Sequence, residues 1–313
     1  MGSLSPPMSP PRPRRVLLLF LDGVGIGPED PEVNPFFRAR LPVLENLLSG
    51  KLPSLDAPAP IGPGTRAFPM DATLGVEGLP QSGTGQISLL TGENAPRLFG
   101  SHFGPWPPVR LRPLLEERNL LRQAQGSGAR VVFANAYPEG YPGTSDSRRV
   151  AAPALAARSA GLLTRDHRAL ARREAVASEI VNDGWRKVLG HFGVPRVSPW
   201  EAGQVLGRMA GEADLTFFAH FTTDLAGHRG GMVGGVEALE RVDEFLGGVL
   251  ERLPGDAELL VVSDHGNLED VRGGHTRNPA LGLRVGSGSA DDPPDPFDLT
   301  DVRGVVARLL GSG

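Results

Sequence analysis

Seven side chains able to ligate a cation stand in four short clusters along this chain: Asp22, Ser82, the pair Asp224 and His228, and the trio Asp264, His265 and His275. Carboxylates and histidines without thiolates form an oxygen and nitrogen donor set, which suits zinc, manganese or magnesium rather than iron–sulfur or copper(I) chemistry. The chain has no cysteine, which excludes disulfides, thiolate metal sites and cysteine nucleophiles. Asp224 and His228 are four residues apart, a spacing that brings both to one side of a helical turn. Asp264 and His265 follow the apolar run LLVVS directly, and burying both unpartnered would cost several kcal/mol, which a metal ion would offset. Ser82 stands at the start of a helical stretch, where a positive field and free N–H groups suit phosphate chemistry. Taken singly, His275 reads as a loop histidine and Ser82 as a helix cap. Their joint occurrence points to a metal centre.

These clusters need rigid supports. Three follow apolar runs, VLLLFLDG, LTFFAHFTTD and LLVVSDHG, of the kind found in buried parallel strands, whose carboxyl ends are where open α/β sheets place ligands. Strands are predicted over Arg15 to Leu21, Ala129 to Ala134, Asp214 to Phe221 and Glu258 to Ser263. Helices are predicted within Phe36 to Leu48 and over Gly83 to Thr91 (stopped by Gly92), Arg112 to Gln125, Val236 to Arg252 and Leu299 to Leu310. Pro58 to Met70 reads as a connection. The glycines of DGVGIG let backbone pack close to whatever Asp22 holds. From 137 to 207 the chain turns alanine- and arginine-rich, with helical periodicity over Val150 to Ala160 and Asp166 to Asn182. The expected fold is α/β: a doubly wound, mostly parallel sheet flanked by helices, its core formed by 15–136 and 208–313. A small helical cap, 137–207, is inserted, and a Pro-rich disordered tail, 1–14, precedes.

A net charge of −4, with 32 scattered basic residues, gives no footprint for a nucleic-acid partner. No apolar run approaches a membrane span, and Val16 to Leu21 ends in an acidic residue without a cleavage site, unlike a signal peptide. The expectation is a cytoplasmic monomer or homodimer with no membrane partner.

The blocks LDGVGIG, GLPQSGTGQ, DLAGH, SDHGN and HTRNP, in this order, resemble the alkaline phosphatase superfamily, in particular its branch of cofactor-independent phosphoglycerate mutase and phosphopentomutase. They span Asp22 to Pro279. The resemblance implies two divalent metal ions, manganese or zinc with magnesium as an alternative. Asp22, Ser82, Asp264 and His265 would hold one, and Asp224, His228 and His275 the other. It also implies a nucleophile three residues before a Gly-His dipeptide. Here Ser82 precedes Gly85-Gln86 by that spacing, so Ser82 is the implied nucleophile, forming a phosphoserine, with Thr84 the alternative. Arg277, two residues beyond His275, and Arg229, beside His228, are by position the candidate catalytic cations; Arg148, Arg149 and Lys187 could reach in from the cap, though solvated surface charge is their ordinary reading. His220 and His102 read as supporting or packing residues, and His167 and His191 as cap surface.

The implied activity is two-metal phosphoryl transfer on a small phosphorylated substrate. The short cap, without the His-x-Asp-Gly-Arg-Asp motif of the phosphoglycerate enzyme, favours a phosphomonoester hydrolase. A phosphomutase with a reduced cap, a phosphodiesterase and a silent, metal-stabilised scaffold are the alternatives. The Cys/Ser-x-Pro-x-Arg motif of the sulfatase branch is missing.

Overall fold

Strand β1 (Arg15–Leu21) feeds two cores at once: Val16, Leu18 and Phe20 enter one apolar cluster, and Leu17, Leu19 and Leu21 enter the other. Burial on both faces is the reason this run is unbroken in hydrophobicity rather than alternating. The computed structural model describes residues 14–143, 149–286 and 294–311; the proposed tail up to residue 13, and Arg148, lie outside the described residues.

β1 lies between β5 (Leu215–His220) and β6 (Ala257–Ser263), parallel to both, with Leu21 in register with His220 and Ser263. β4 (Val131–Phe133) extends the parallel set beyond β5. Beyond β6 come β7 (Ala280–Val285), β3 (Thr65–Met70) and β2 (Ile61–Gly62), each antiparallel to its neighbour. β3 therefore runs with β1, and only β7 and β2 oppose it. One face carries helices Ser82–Thr91, Arg112–Arg118, Leu120–Gly126, Ala152–Ser159 and Asp301–Leu309; the other carries Pro42–Leu47, Pro199–Ala210 and Gly231–Arg252. This is the expected doubly wound α/β sheet.

Several expectations are corrected. Pro58 to Met70 is not only a connection, because Thr65–Met70 pairs with β7 along its whole length. Arg112 to Gln125 is two helices, broken at Asn119, whose side chain accepts hydrogen bonds from Leu121 N and Arg122 N and so caps the second. The 137–207 segment does not stand apart as one cap. Ala152, Ala154, Ala156 and Ala157 are fully buried in the first core, their small side chains allowing close approach to the Ser82–Thr91 helix, and Pro199–Ala210 packs along Gly231–Arg252 in the second. Between those helices, Ala169, Leu170, Ala175, Ala177, Trp185 and Val194 form a satellite cluster with Ala136. The periodicity over Asp166 to Asn182 yields only the short helix His167–Ala171.

A buried ion-pair network closes the far end of β6. Arg284 and Glu258 pair with side chains 1% and 2% exposed. Arg14 lies 3.1 Å from Glu258, and Asp295 lies 3.7 Å from Arg284 while pairing with Arg66. Among the described residues no helix is long and apolar enough to cross a membrane.

Candidate metal centre

The carboxyl ends of the three central strands converge. Asp22 leaves β1 with its N–H donating to His220 O of β5 at 2.9 Å, and Asp264 and His265 leave β6. Asp224 and His228 ride on helix Thr222–Arg229 just after β5, one turn apart, so that His228 Nε2 lies 3.4 Å from Asp224 Oδ2. His275 arrives on the loop between β6 and β7, its Nε2 3.5 Å from Asp224 Oδ1 and 3.0 Å from His228 Nε2. Ser82 opens helix Ser82–Thr91, and its Oγ lies 2.9 Å from His265 Nε2. His265 Nε2 is 3.4 Å from Asp22 Oδ1 and 3.7 Å from Asp264 Oδ2. All seven residues singled out in the sequence thus meet in one place. Two groups have ligand atoms within 4.8 Å of one another, Asp22 with Asp264 and His265, and Asp224 with His265 and His275. His265 belongs by distance to both, a sharing that the expected division into two sets did not contain.

Comparison with known proteins bears on this arrangement. The profile of the Metalloenzyme superfamily matches residues 201–308, the part that carries Asp224, His228, Asp264, His265 and His275. A 2,3-bisphosphoglycerate-independent phosphoglycerate mutase of Desulforudis audaxviator is 36% identical over 106 residues, covering 31% of this chain and 21% of the relative. A phosphopentomutase of Deinococcus radiodurans is 36% identical over 113 residues, 35% of this chain and 29% of the relative. The matched part of the chain thus spans well under a third of either relative. Among solved structures, alkaline phosphatase from the Antarctic bacterium TAB5 shares the fold with TM-score 0.51 at 9% identity, over 96% of this chain and 99% of that one. Residues 201–308 thus match the Metalloenzyme superfamily, and the chain as a whole has the fold of an alkaline phosphatase.

The residues of the site fit divalent ions. Asp22 Oδ1 and Asp264 Oδ2 are buried without a hydrogen-bond partner, a costly arrangement for carboxylate oxygens that a cation would relieve. His275 Nδ1 donates to Pro80 O at 2.7 Å and His265 Nδ1 to Gly266 O at 3.3 Å, which leaves both Nε2 lone pairs directed at the carboxylates, as ligation requires. The electrostatics favour positive charge. Burial, reinforced by the charge of Asp264, pushes the Asp22 carboxyl well above its ordinary range. Burial alone would lower His265, but the carboxylates of Asp264 and Asp22 overcome it and hold it up at about 10. Asp224 moves down to about 2 against the opposing effect of burial, because His275, His265 and Asn267 stabilise its charge.

The centre has supports of its own. Gln86, where the mutase branch has histidine, donates to Asp22 Oδ2 at 3.2 Å and so holds a ligand carboxylate. Asn267 donates to Asp224 Oδ1 at 2.6 Å, and Thr223 Oγ1 donates to Asp22 O at 2.6 Å. Thr84 has its hydroxyl engaged elsewhere, accepting from Phe103 N at 3.1 Å. Arg277 and Arg229 are exposed, next to the site in sequence but without a hydrogen bond to it. Lys187 pairs with Asp183 at 2.7 Å, and Arg149 is exposed. His102 Nε2 donates to Val76 O at 3.3 Å, and His167 stacks on His191 at 4.2 Å. Asn267 and Glu269 were not singled out in the sequence. Both follow His265 within four residues, so the extension of SDHGN to SDHGNLE was the available signal.

His220 is wholly buried, donating from Nδ1 to Ser178 O at 2.7 Å with Thr222 Oγ1 3.0 Å from Nε2, and burial lowers its pKa to about 4. A histidine held neutral in the fold contributes stability that is complete above its unfolded pKa of about 6.5 and is lost as pH falls toward the folded value. Between those values the loss amounts to about 3 kcal/mol. The gap in urea midpoint between wild type and His220→Asn is therefore expected to shrink as pH is lowered from 7 to 4.5. A gap constant over that range would show that His220 does not titrate with folding.

Proposed function

We propose that this chain transfers a phosphoryl group through Ser82, with divalent ions held by Asp22, Asp264 and His265 and by Asp224, His228 and His275. The observation that carries the reading is the Ser82 hydroxyl, 2.9 Å from His265 Nε2 on the first turn of a helix and beside the orphaned oxygens of Asp22 and Asp264. Divalent ions bound there would supply Lewis-acid stabilisation of phosphoryl charge and favour the ionised serine. Ser82 Oγ attacks phosphorus, the bond to the leaving alcohol oxygen breaks, and the amino end of the helix stabilises the oxyanion before attack. Arg277, two residues beyond His275 in the chain, would supply a cation to the phosphoryl oxygens, the main demand of such a transition state. The acceptor hydroxyl then takes the group from phosphoserine.

The identity of the acceptor separates two readings. Relatives named phosphoglycerate mutase and phosphopentomutase favour return of the group to another hydroxyl of the same small phosphorylated acid or sugar, and this is the leading reading. Transfer to water, the phosphomonoester hydrolase expected from the sequence, is favoured by the exposure of His228, whose side chain is 41% accessible at the open end of the site. The deciding experiment incubates the chain with manganese, zinc or magnesium and with 3-phosphoglycerate, ribose 5-phosphate or p-nitrophenyl phosphate, following isomer and inorganic phosphate together. Isomer without free phosphate supports the mutase, and phosphate without isomer supports the hydrolase. Two bound ions with neither product from any substrate would overturn phosphoryl transfer and leave the silent scaffold.

A further inference from the structure

Glu269 is fully buried, yet it belongs to neither ligand group. Its Oε2 accepts from Gly25 N at 3.0 Å and from Asn267 N at 2.7 Å, while Oε1 accepts from the Thr276 hydroxyl and from Asn278 Nδ2 at 3.1 Å. The four donors come from three loops: the turn after Asp22, the segment after His265 and the segment after His275. The backbone is hollowed to receive this carboxylate. A Cβ at Gly25 would lie 2.4 Å from the Glu269 carboxyl carbon, one at Gly266 would lie 2.3 Å from Oε1, and one at Gly27 would lie 2.8 Å from Cγ. The glycines of DGVGIG thus make room chiefly for Glu269, and Gly23, at φ +67, for Asp224.

We infer that Glu269 is a positioning residue that fixes the His275 loop against the two strand ends, and so sets the Asp224, His228 and His275 half of the centre. The two halves depend on it unequally. Asp22, Asp264 and His265 stand directly on β1 and β6, whose parallel pairing holds them without help. His275 has no strand beneath it. Besides its Nδ1 bond to Pro80 O and the isolated backbone bridge between Gly266 and Thr276, its loop is secured to the centre through Thr276 and Asn278, both of which end on Glu269 Oε1. An ionised carboxylate accepts at both oxygens and satisfies all four donors; an amide cannot, since its nitrogen would face donors. Charge-assisted bonds of this kind are about twice as strong as neutral ones.

The test is metal titration of the full chain with manganese or zinc, by calorimetry, comparing wild type with Glu269→Gln and with Thr276→Val, which removes one donor and leaves the fold less disturbed. The inference rests on the two-metal reading for this arm only. One ion is expected to bind as in wild type and the other at least about tenfold more weakly, the effect of losing positioning hydrogen bonds behind the ligands. Two ions bound as in wild type by Thr276→Val, or equal weakening of both by a folded Glu269→Gln, would overturn it. A second arm uses metal-free protein and reads amide exchange. Gly25 and Asn267 are expected to lose protection in Glu269→Gln and to keep it in Thr276→Val; unchanged protection in Glu269→Gln would also overturn the inference. If wild type binds fewer than two ions, the two-metal assignment fails, and the exchange arm still decides the role of Glu269.

Discussion

Replacement of Ser82 by alanine is expected to abolish phosphoserine and to lower phosphoryl transfer by on the order of a thousandfold or more, because nothing else in the centre is placed to accept the group. Thr84, two residues on, cannot substitute: its hydroxyl is held by the backbone of Phe103 and lies within the helix rather than against His265. Ser82 contributes one side-chain contact, to His265, so the folded state should survive its loss. Intact mass of the enzyme trapped with substrate, together with steady-state rates, checks the prediction. Phosphorylated Ser82→Ala protein, or turnover near the wild-type rate, would remove Ser82 as the nucleophile.

The second large effect lies at the opposite end of β6. Removing the Glu258 carboxylate by replacement with alanine takes from the Arg284 guanidinium, buried at 1% exposure, the carboxylate to which its Nε donates. Breaking a buried pair from one side costs about 3–5 kcal/mol, whereas replacing both members by apolar residues of similar volume is often neutral. Glu258→Ala is thus expected to lose that amount in urea denaturation, and Glu258→Leu combined with Arg284→Met to recover most of it. A single variant within about 1 kcal/mol of wild type would show that the Arg284 charge is balanced without Glu258. Metal binding per folded molecule should not change in either, since the ligands stand at the other end of the strand.

What the sequence made legible follows from how each element is held. β1, β5 and β6 are continuous apolar runs because they are covered on both faces, and each delivers its ligands at a fixed end, so strand and site could be read together. The helix Ser82–Thr91 and its stop were equally plain, since Gly92 takes the left-handed conformation at φ 73. β3 and β7 escaped notice because Pro69, Arg66, Gly282 and Arg284 interrupt their apolar pattern; Arg284 enters the core paired with a carboxylate twenty-six positions away in sequence, on β6. The helix Ala152–Ser159 is legible from its periodicity and reads as part of an inserted cap; its burial arises from close packing on another helix, which periodicity does not name. Glu269 was passed over for a related reason. Its importance lies in three backbone loops that only the fold assembles.

The accessibility of the ligand side chains is uneven across the centre: 41% at His228 and 19% at Asp224, against 9% at Asp22, 8% at His275 and zero at Asp264 and His265. One end of the centre thus faces solvent and the other is closed in. With ions in both groups, as proposed, a chelator should strip the pair in two kinetic phases, the ion nearer His228 leaving first; a single phase would show that burial does not order the exchange.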